Sequence, residues 1–109
     1  MATHDTAVTG MTLDRTGMEQ QLAQSVRHFI DCAFDGEDLS RLDLQGCTFE
    51  RCTFAETNLF ASKLARSTWR RCRAGSADFE SVDAVDATFE GCDLNNTKWR
   101  RAKLASATY

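Results

Sequence analysis

The chain has 109 residues, of which 42% are hydrophobic and 27% are charged, and its formal net charge is −3. This composition is typical of one small folded domain and excludes general disorder. The acidic balance argues against direct binding of nucleic acid, and no apolar run approaches the ~18 residues that a membrane helix needs. The sequence also contains no proline.

The first part of the chain lacks any repeat. Residues 1–13 are predicted to be a mobile tail, and residues 14–31 an N-terminal helical cap. Thr16 and Glu19 have the spacing of a capping box, in which each side chain bonds a free backbone N–H at the start of a helix. The helix is expected over roughly 16–29, with one apolar face directed at the rest of the domain.

An alternative interpretation concerns the end of this segment. Phe29 lies five residues before the first clear repeat centre and would fit an incomplete first repeat. Arg27 would then occupy an inward position, which argues against that alternative because a buried, unpaired charge is costly.

The remaining chain, residues 32–109, is built on a period of five. Every fifth residue is apolar: Phe34, Leu39, Leu44, Phe49, Phe54, Leu59, Leu64, Trp69, Ala74, Phe79, Ala84, Phe89, Leu94, Trp99 and Leu104. The residue two before each centre is small or apolar in nearly every pentad, and all five cysteines of the chain occupy such positions. A period of five matches neither a helix nor a simple alternating strand, so it indicates a solenoid with two inward residues per pentad.

Several pentads share a recognisable motif. The segments Thr57-Asn58-Leu59, Ala77-Asp78-Phe79 and Cys92-Asp93-Leu94 resemble the A-(D/N)-L-x-x consensus of the pentapeptide-repeat family. The resemblance implies an all-β solenoid, a right-handed quadrilateral β-helix with four pentads per coil. Residues 32–109 would form about 3.75 such coils behind the short N-terminal capping helix.

A twenty-residue coil also predicts which side chains are stacked. Cys32, Cys52, Cys72 and Cys92 fall twenty residues apart, and so do outward charges of alternating sign, such as Asp43, Lys63, Asp83 and Lys103. These charges are expected to pair between neighbouring coils. The absence of proline fits the same architecture, because each coil needs its backbone N–H groups to bond the next coil.

No motif of catalysis or of cofactor binding is found, so the protein is predicted not to be an enzyme and to bind no cofactor or metal. Stacked cysteines in line cannot all ligate one zinc ion, and the thiols are interpreted as reduced core residues. Two apolar surfaces remain as candidate sites. One is a lateral partner surface formed by Phe60, Ala65, Val85 and Ala105. The other is the C-terminal end of the solenoid, formed by Leu94, Trp99, Leu104 and Tyr109.

Because the chain stops within a pentad, the C-terminal end is interpreted either as the interface of a homodimer or as a point where a longer protein continues. The primary functional hypothesis is a non-catalytic module, a scaffold or effector, that binds a protein partner. The alternative is implied by the family resemblance: a mimic of duplex DNA that binds type II topoisomerase (DNA gyrase) and confers resistance to quinolones or gyrase poisons. The expected location is the bacterial cytoplasm, with secretion as an effector left open. No membrane partner is expected.

Overall fold

The structure, a computed structural model, describes residues 7–109, in which one short helix and five short strands are found. The strands are β1 (Val8–Thr9), β2 (His28–Ile30), β3 (Thr48–Glu50), β4 (Thr68–Arg70) and β5 (Thr88–Glu90), and the helix α1 spans Arg15–Ala23. The strands form one parallel sheet in the order β1-β2-β3-β4-β5. Parallel neighbours in strict sequence order are the signature of a chain that winds as a solenoid.

The coil length is twenty residues, as the sequence predicts. Phe29 lies opposite Phe49, Phe49 opposite Trp69, and Trp69 opposite Phe89. On the other sides of the coil, single-residue parallel bridges keep the same step, for example between Asn58 and Asp78. Each coil therefore comprises four pentads, and the β-solenoid predicted from the five-residue period is confirmed.

The corners of each coil place non-glycine residues in the left-handed backbone region. Ala61, Arg71 and Ser81, each two residues after a repeat centre, have φ values of 57°, 55° and 60°. This conformation costs roughly 1–2 kcal/mol for an L-residue. The cost is offset by hydrogen bonds between coils, such as that from the Ala61 N–H to the Glu80 carbonyl at 2.9 Å.

The interior of the solenoid is a column of aromatic rings. Trp69 is fully buried, and its ring centroid lies 4.6 Å from those of Phe49 and Phe54. Phe79 and Phe89 continue the column on the other side of Trp69, at 5.9 and 5.4 Å. The bulk of Trp69 is accommodated beside the small buried residues Ala74 and Ala84.

The helix is shorter than predicted and begins at a different residue. Its N-cap is Asp14, whose carboxylate accepts a hydrogen bond from the Gly17 N–H at 2.7 Å. The capping box predicted from Thr16 and Glu19 is therefore wrong. Glu19 instead pairs with Arg15, one helical turn earlier, at 3.1 Å.

The N-terminal boundaries are also corrected, because both flanks of the helix belong to the sheet. Strand β1 pairs with β2, so part of the segment predicted as a tail over 1–13 is ordered against the solenoid; residues 1–6 lie outside the described residues. Strand β2 falls inside the predicted helical cap over 14–31, and Phe29 is fully buried. The alternative with an incomplete first repeat is thus correct.

Arg27, which argues against this alternative in the sequence, is not buried. Its side chain does not enter the interior but remains exposed, and its guanidinium donates to the Asp43 carbonyl oxygen at 3.0 Å. In the described part of the chain, no helix is long and apolar enough to span a lipid bilayer.

Candidate protein-binding surfaces

The Asp and Asn residues that precede the repeat centres stabilise the turns. Asn58 accepts a hydrogen bond from the Phe60 N–H at 2.9 Å, and Asp78 accepts one from the Glu80 N–H at 2.8 Å. Asp38 accepts from both the N–H and the hydroxyl of Ser40, and these bonds hold the pKa of its carboxyl below the usual value. The consensus acids therefore bond the local backbone.

One column of outward charges forms the ion pairs that the sequence predicts. The guanidinium of Arg70 lies between Glu50 and Glu90, at 3.2 and 3.3 Å. One column away, Arg51 binds Asp31 at 2.9 Å, and this hydrogen bond lowers the pKa of the Asp31 carboxyl. All of these groups are partly exposed, so each pair contributes little to stability.

A second predicted column is stacked but not ion-paired. Asp43, Lys63, Asp83 and Lys103 form consecutive parallel bridges. Within residues 7–109, however, their side chains form no ion pair below 4 Å, and the carboxylates of Asp43 and Asp83 bond nearby backbone N–H groups instead. The predicted stacking is confirmed, whereas the predicted ion pairing at this column is wrong.

The lateral candidates are distributed over two sides of the coil. Ala65, Val85 and Ala105 stack in one column, but Ala65 is buried and only Ala105 is fully exposed. Phe60 lies on the preceding side, is half-buried, and is covered by the Arg41 guanidinium, whose central carbon lies 5.2 Å from the ring centroid. This cation–π contact shields the aromatic ring that the sequence nominated as an exposed anchor.

The four candidates at the C-terminal end are brought together. Leu94, Trp99, Leu104 and Tyr109 line, with Phe89, an apolar concavity of about 140 Å³. Tyr109 is 78% exposed, while Trp99 stacks on Phe79 with ring centroids 4.3 Å apart. This end presents the largest set of adjoining apolar side chains among the nominated residues.

The predicted cysteine ladder has one repeated geometry, and all five thiols are free. Each of three ladder sulfurs donates to a backbone carbonyl of the preceding coil, at 3.3 Å for Cys52 and Cys72 and 3.2 Å for Cys92. Cys92 is the half-exposed member of the ladder. Within residues 7–109, no group of three His, Cys, Asp or Glu side chains is arranged to hold a metal ion.

The thiols differ in acidity according to their surroundings. Burial raises the pKa of Cys32 and of Cys47. The neighbouring Cys72 thiol lowers the pKa of Cys92 to about 7. Cys92 therefore combines a lowered pKa with partial exposure, whereas Cys52, whose pKa is also lowered, is buried.

Sequence reasoning missed a polar pair that recurs at both tryptophans. The Trp69 indole N–H donates to the Ser67 hydroxyl at 2.9 Å, and the Trp99 indole N–H donates to the Thr97 hydroxyl at 2.7 Å. Each hydroxyl in turn donates to the backbone carbonyl of the preceding repeat centre, Leu64 or Leu94. The detectable signal is a hydroxyl residue two positions before each tryptophan, at Ser67 and Thr97.

A family model described as "Pentapeptide repeat region" matches residues 25–108. The chain belongs to the pentapeptide-repeat family. The match begins before the first sequence-predicted repeat and includes β2, in agreement with the register of Phe29. The family resemblance seen in the sequence is confirmed.

Two pentapeptide-repeat proteins are similar over most of this chain. The pentapeptide repeat protein MfpA of Mycobacterium tuberculosis is 30% identical in an alignment of 88 residues that covers 76% of this chain and 45% of MfpA. A trypsin-treated form of QnrB1, a plasmid-mediated fluoroquinolone resistance protein, has a TM-score of 0.72 at 20% identity, with 96% of this chain and 51% of that chain covered. Full-length QnrB1 has a TM-score of 0.69 at 22% identity, with 90% of this chain and 46% of that chain covered. The chain thus spans about half the length of these relatives, and the QnrB1 structures support the fold alone.

Proposed function

We propose that this chain is a non-catalytic protein-interaction module whose partner is a type II topoisomerase. The observation that carries the proposal is how the outward positions are used. The inward residues fill the core and the consensus acids stabilise the turns, so the two outward positions after each centre display side chains at fixed spacing on a stiff frame. Such a frame binds partners by the pattern it displays.

The choice of partner rests on the relatives. QnrB1 is a fluoroquinolone resistance protein with the same fold, and MfpA is similar in sequence. The family resemblance adds topoisomerase binding through mimicry of DNA. Within this chain, Glu56 and Asp86 are exposed carboxylates at corner positions, available to a basic partner surface.

The test is a DNA gyrase supercoiling assay with and without ciprofloxacin. The wild-type chain is expected to change gyrase activity or its sensitivity to the drug, and the double variant Glu56→Gln, Asp86→Asn is expected to weaken that effect severalfold. The matched control is Ser76→Asn, Ser106→Asn, which changes the stacked neighbours at the same left-handed corners without changing charge. A wild-type chain with no effect on gyrase would eliminate the topoisomerase as partner.

We also propose the finer architecture that the family resemblance implies: a right-handed quadrilateral helix with about 3.75 coils over residues 32–109, capped by α1. The contacts of α1 support the capping role. Met18 is fully buried and belongs to the core cluster. Arg15 donates to the Asp38 and Ser40 carbonyl oxygens, both at 3.0 Å, so the helix is held on the first coil from two sides.

We further propose that the C-terminal end mediates a homodimer. The half-exposed Leu94, Trp99 and Leu104 and the exposed Tyr109 would be covered by a second copy, and each large side chain so buried is worth roughly 1.5–3 kcal/mol. Sedimentation at micromolar concentration should detect a dimer that Trp99→Glu dissociates. A monomeric wild-type chain would refute this interface, and a dimer broken only by Phe60→Glu would move it to the lateral surface.

For the location we propose the bacterial cytoplasm, because five free thiols are suited to a reducing compartment. Secretion as an effector is the competing hypothesis. Cell fractionation with an antibody against the native protein distinguishes them, since a secreted effector would be recovered from the culture medium.

A further inference from the structure

The outward charges alternate in sign down the solenoid, with one exception. Glu50, Arg70 and Glu90 illustrate the rule, since Arg70 forms ion pairs with both neighbours. Between residues 28 and 109, Arg51 and Arg71 are the one pair of like charges that lie twenty residues apart. Like charges directly opposite each other destabilise a sheet, so the fold itself does not favour this pair. Departures from an otherwise consistent local pattern are typical of functional sites.

Arg51 is paired with a carboxylate of this chain, whereas Arg71 is not. Arg51 binds Asp31 through two hydrogen bonds, of 2.9 and 3.3 Å. Arg71 follows in the same column, and no carboxylate within residues 7–109 forms an ion pair with it. The next position in that column is Gly91, so neither stacked neighbour of Arg71 is an acid. The guanidinium of Arg71 is therefore exposed, and no acid in its column neutralises its charge.

The space beside Arg71 is a groove of about 470 Å³. Its lining residues are Glu50, Arg51, Arg70, Arg71, Glu90 and Gly91. Gly91 contributes no side chain to the groove, and a Cβ there would lie in ordinary van der Waals contact with the Arg71 Cγ, at 3.7 Å. The charge of Arg70 is taken by Glu50 and Glu90, so the donors left for a ligand are those of Arg71.

We propose that this groove binds an acidic segment of a protein partner, whose Asp or Glu carboxylate enters the space beside Gly91 and pairs with Arg71. The inference rests on the proposed function as a protein-interaction module. A guanidinium offers two parallel N–H donors that match a carboxylate, which gives the contact direction as well as charge. Of the arginines that line the groove, Arg71 alone forms no ion pair within residues 7–109, so the groove suits one carboxylate rather than the successive phosphates of a nucleic acid.

The probe is a hexaglutamate peptide, titrated into the ¹⁵N-labelled full chain at low salt and followed through the arginine Nε–Hε resonances. The Arg71 resonance should shift, and Arg71→Gln should weaken binding about tenfold, the loss expected for one charge-assisted pair. Gly91→Asp should weaken it similarly, because Asp tolerates the left-handed backbone at φ +63° and places an internal carboxylate on Arg71.

Arg101→Gln is the matched control. Arg101 is also an exposed arginine at a left-handed corner, with φ +61°, but Ser81 is its stacked neighbour. This variant should bind the peptide within about twofold of the wild type, and binding should weaken as salt screens the charges. Circular dichroism melting of each variant establishes that the fold is intact.

Three results would overturn the proposal: equal peptide binding by wild type and Arg71→Gln, equal loss in Arg101→Gln, or tighter binding of a DNA duplex than of hexaglutamate. The gyrase assay separates this inference from the proposed function. If wild type and Arg71→Gln act equally on gyrase, the groove is not the partner surface although the module binds. If the wild type leaves gyrase unaffected but hexaglutamate binding requires Arg71, the proposed acidic-segment site is supported and the topoisomerase is eliminated as the partner.

Discussion

The buried hydroxyl beneath Trp69 provides a sharp test of how the interior is stabilised. Ser67 is 1% exposed, accepts the indole N–H of Trp69, and donates to the Leu64 carbonyl at 2.7 Å. Replacing Ser67 with Ala leaves that indole N–H unpaired in the core. The Leu64 carbonyl keeps a partner, because the Ser67 backbone N–H also donates to it at 3.0 Å. The cost of Ser67→Ala therefore comes mainly from one orphaned donor, about 1–3 kcal/mol.

Ser62 is the matched control, one pentad earlier. It is fully buried at the equivalent position, yet within residues 7–109 its hydroxyl has no hydrogen-bond partner. Ser62→Ala removes a buried hydroxyl that has no protein partner within residues 7–109, so it should leave the free energy of unfolding unchanged or raise it. The two chemically identical substitutions should differ by at least ~1 kcal/mol, in a direction set by the hydrogen bonds alone.

The measurement is urea denaturation followed by circular dichroism and by tryptophan fluorescence, with coincident transitions as the criterion for two-state unfolding. A double-mutant cycle isolates the pair: in a Trp69→Phe background, Ser67→Ala should lose most of its penalty, because no indole N–H remains to be orphaned. Equal destabilisation by Ser62→Ala and Ser67→Ala, or an unchanged penalty in the Phe background, would refute the reasoning.

Three further predictions follow from the same register. Phe89→Ala should lower the free energy of unfolding by ~3–5 kcal/mol, because Phe89 is 4% exposed in the aromatic column; a loss below ~1 kcal/mol would contradict the inward assignment. Ala61→Gly should stabilise the protein by ~0.5–1 kcal/mol by relieving its φ of 57°, whereas Ala55→Gly, at a residue without a positive φ, should destabilise it by a similar amount. Iodoacetamide should alkylate Cys92 first in the native protein, at a rate that rises with pH around its pKa of about 7, because the thiolate exists above that pH. Cys92→Ser should remove this fast phase, and unfolded wild type should titrate five thiols; fewer would contradict the prediction of reduced cysteines.

Most of the solenoid could be predicted because the size of the side chains shows which residues of each pentad point inward. Only the interior restricts side-chain volume, so the apolar centres repeat in every pentad, and the residues two before them are small or apolar in nearly every one. The start of the solenoid could not be predicted in this way, because helix capping and local hydrogen bonds determine its structure. Asp14 and Thr16 are both competent caps, and the helix uses Asp14, whose carboxylate accepts the Gly17 N–H. Arg27 appeared to be inward by spacing, but at the first coil its guanidinium reaches backbone carbonyls and the position tolerates a charge.

The surface contacts were predictable only in part. Stacking of the coils determines the positions of the Cα atoms, but not which partner the end of each side chain bonds. Glu50, Arg70 and Glu90 follow the centres of β3 to β5, and their side chains meet across the sheet. Asp43 and Asp83 precede their centres, where a carboxylate is drawn to the backbone N–H two residues on. Opposite charges twenty residues apart thus become ion pairs at one kind of position and turn-stabilising groups at another.

This division of labour indicates where partner specificity can arise in a repeat with so little freedom. The inward positions and the acids before the centres are determined by the fold, so changes there alter stability first. The two outward positions after each centre can vary at small cost, and alternation of sign is the neutral solution that keeps neighbouring coils compatible. Arg51 and Arg71 depart from that solution at positions the fold leaves free, next to the one place in their column that has no side chain. An acidic partner segment bound in this groove would supply the counter-charge that the column does not give Arg71.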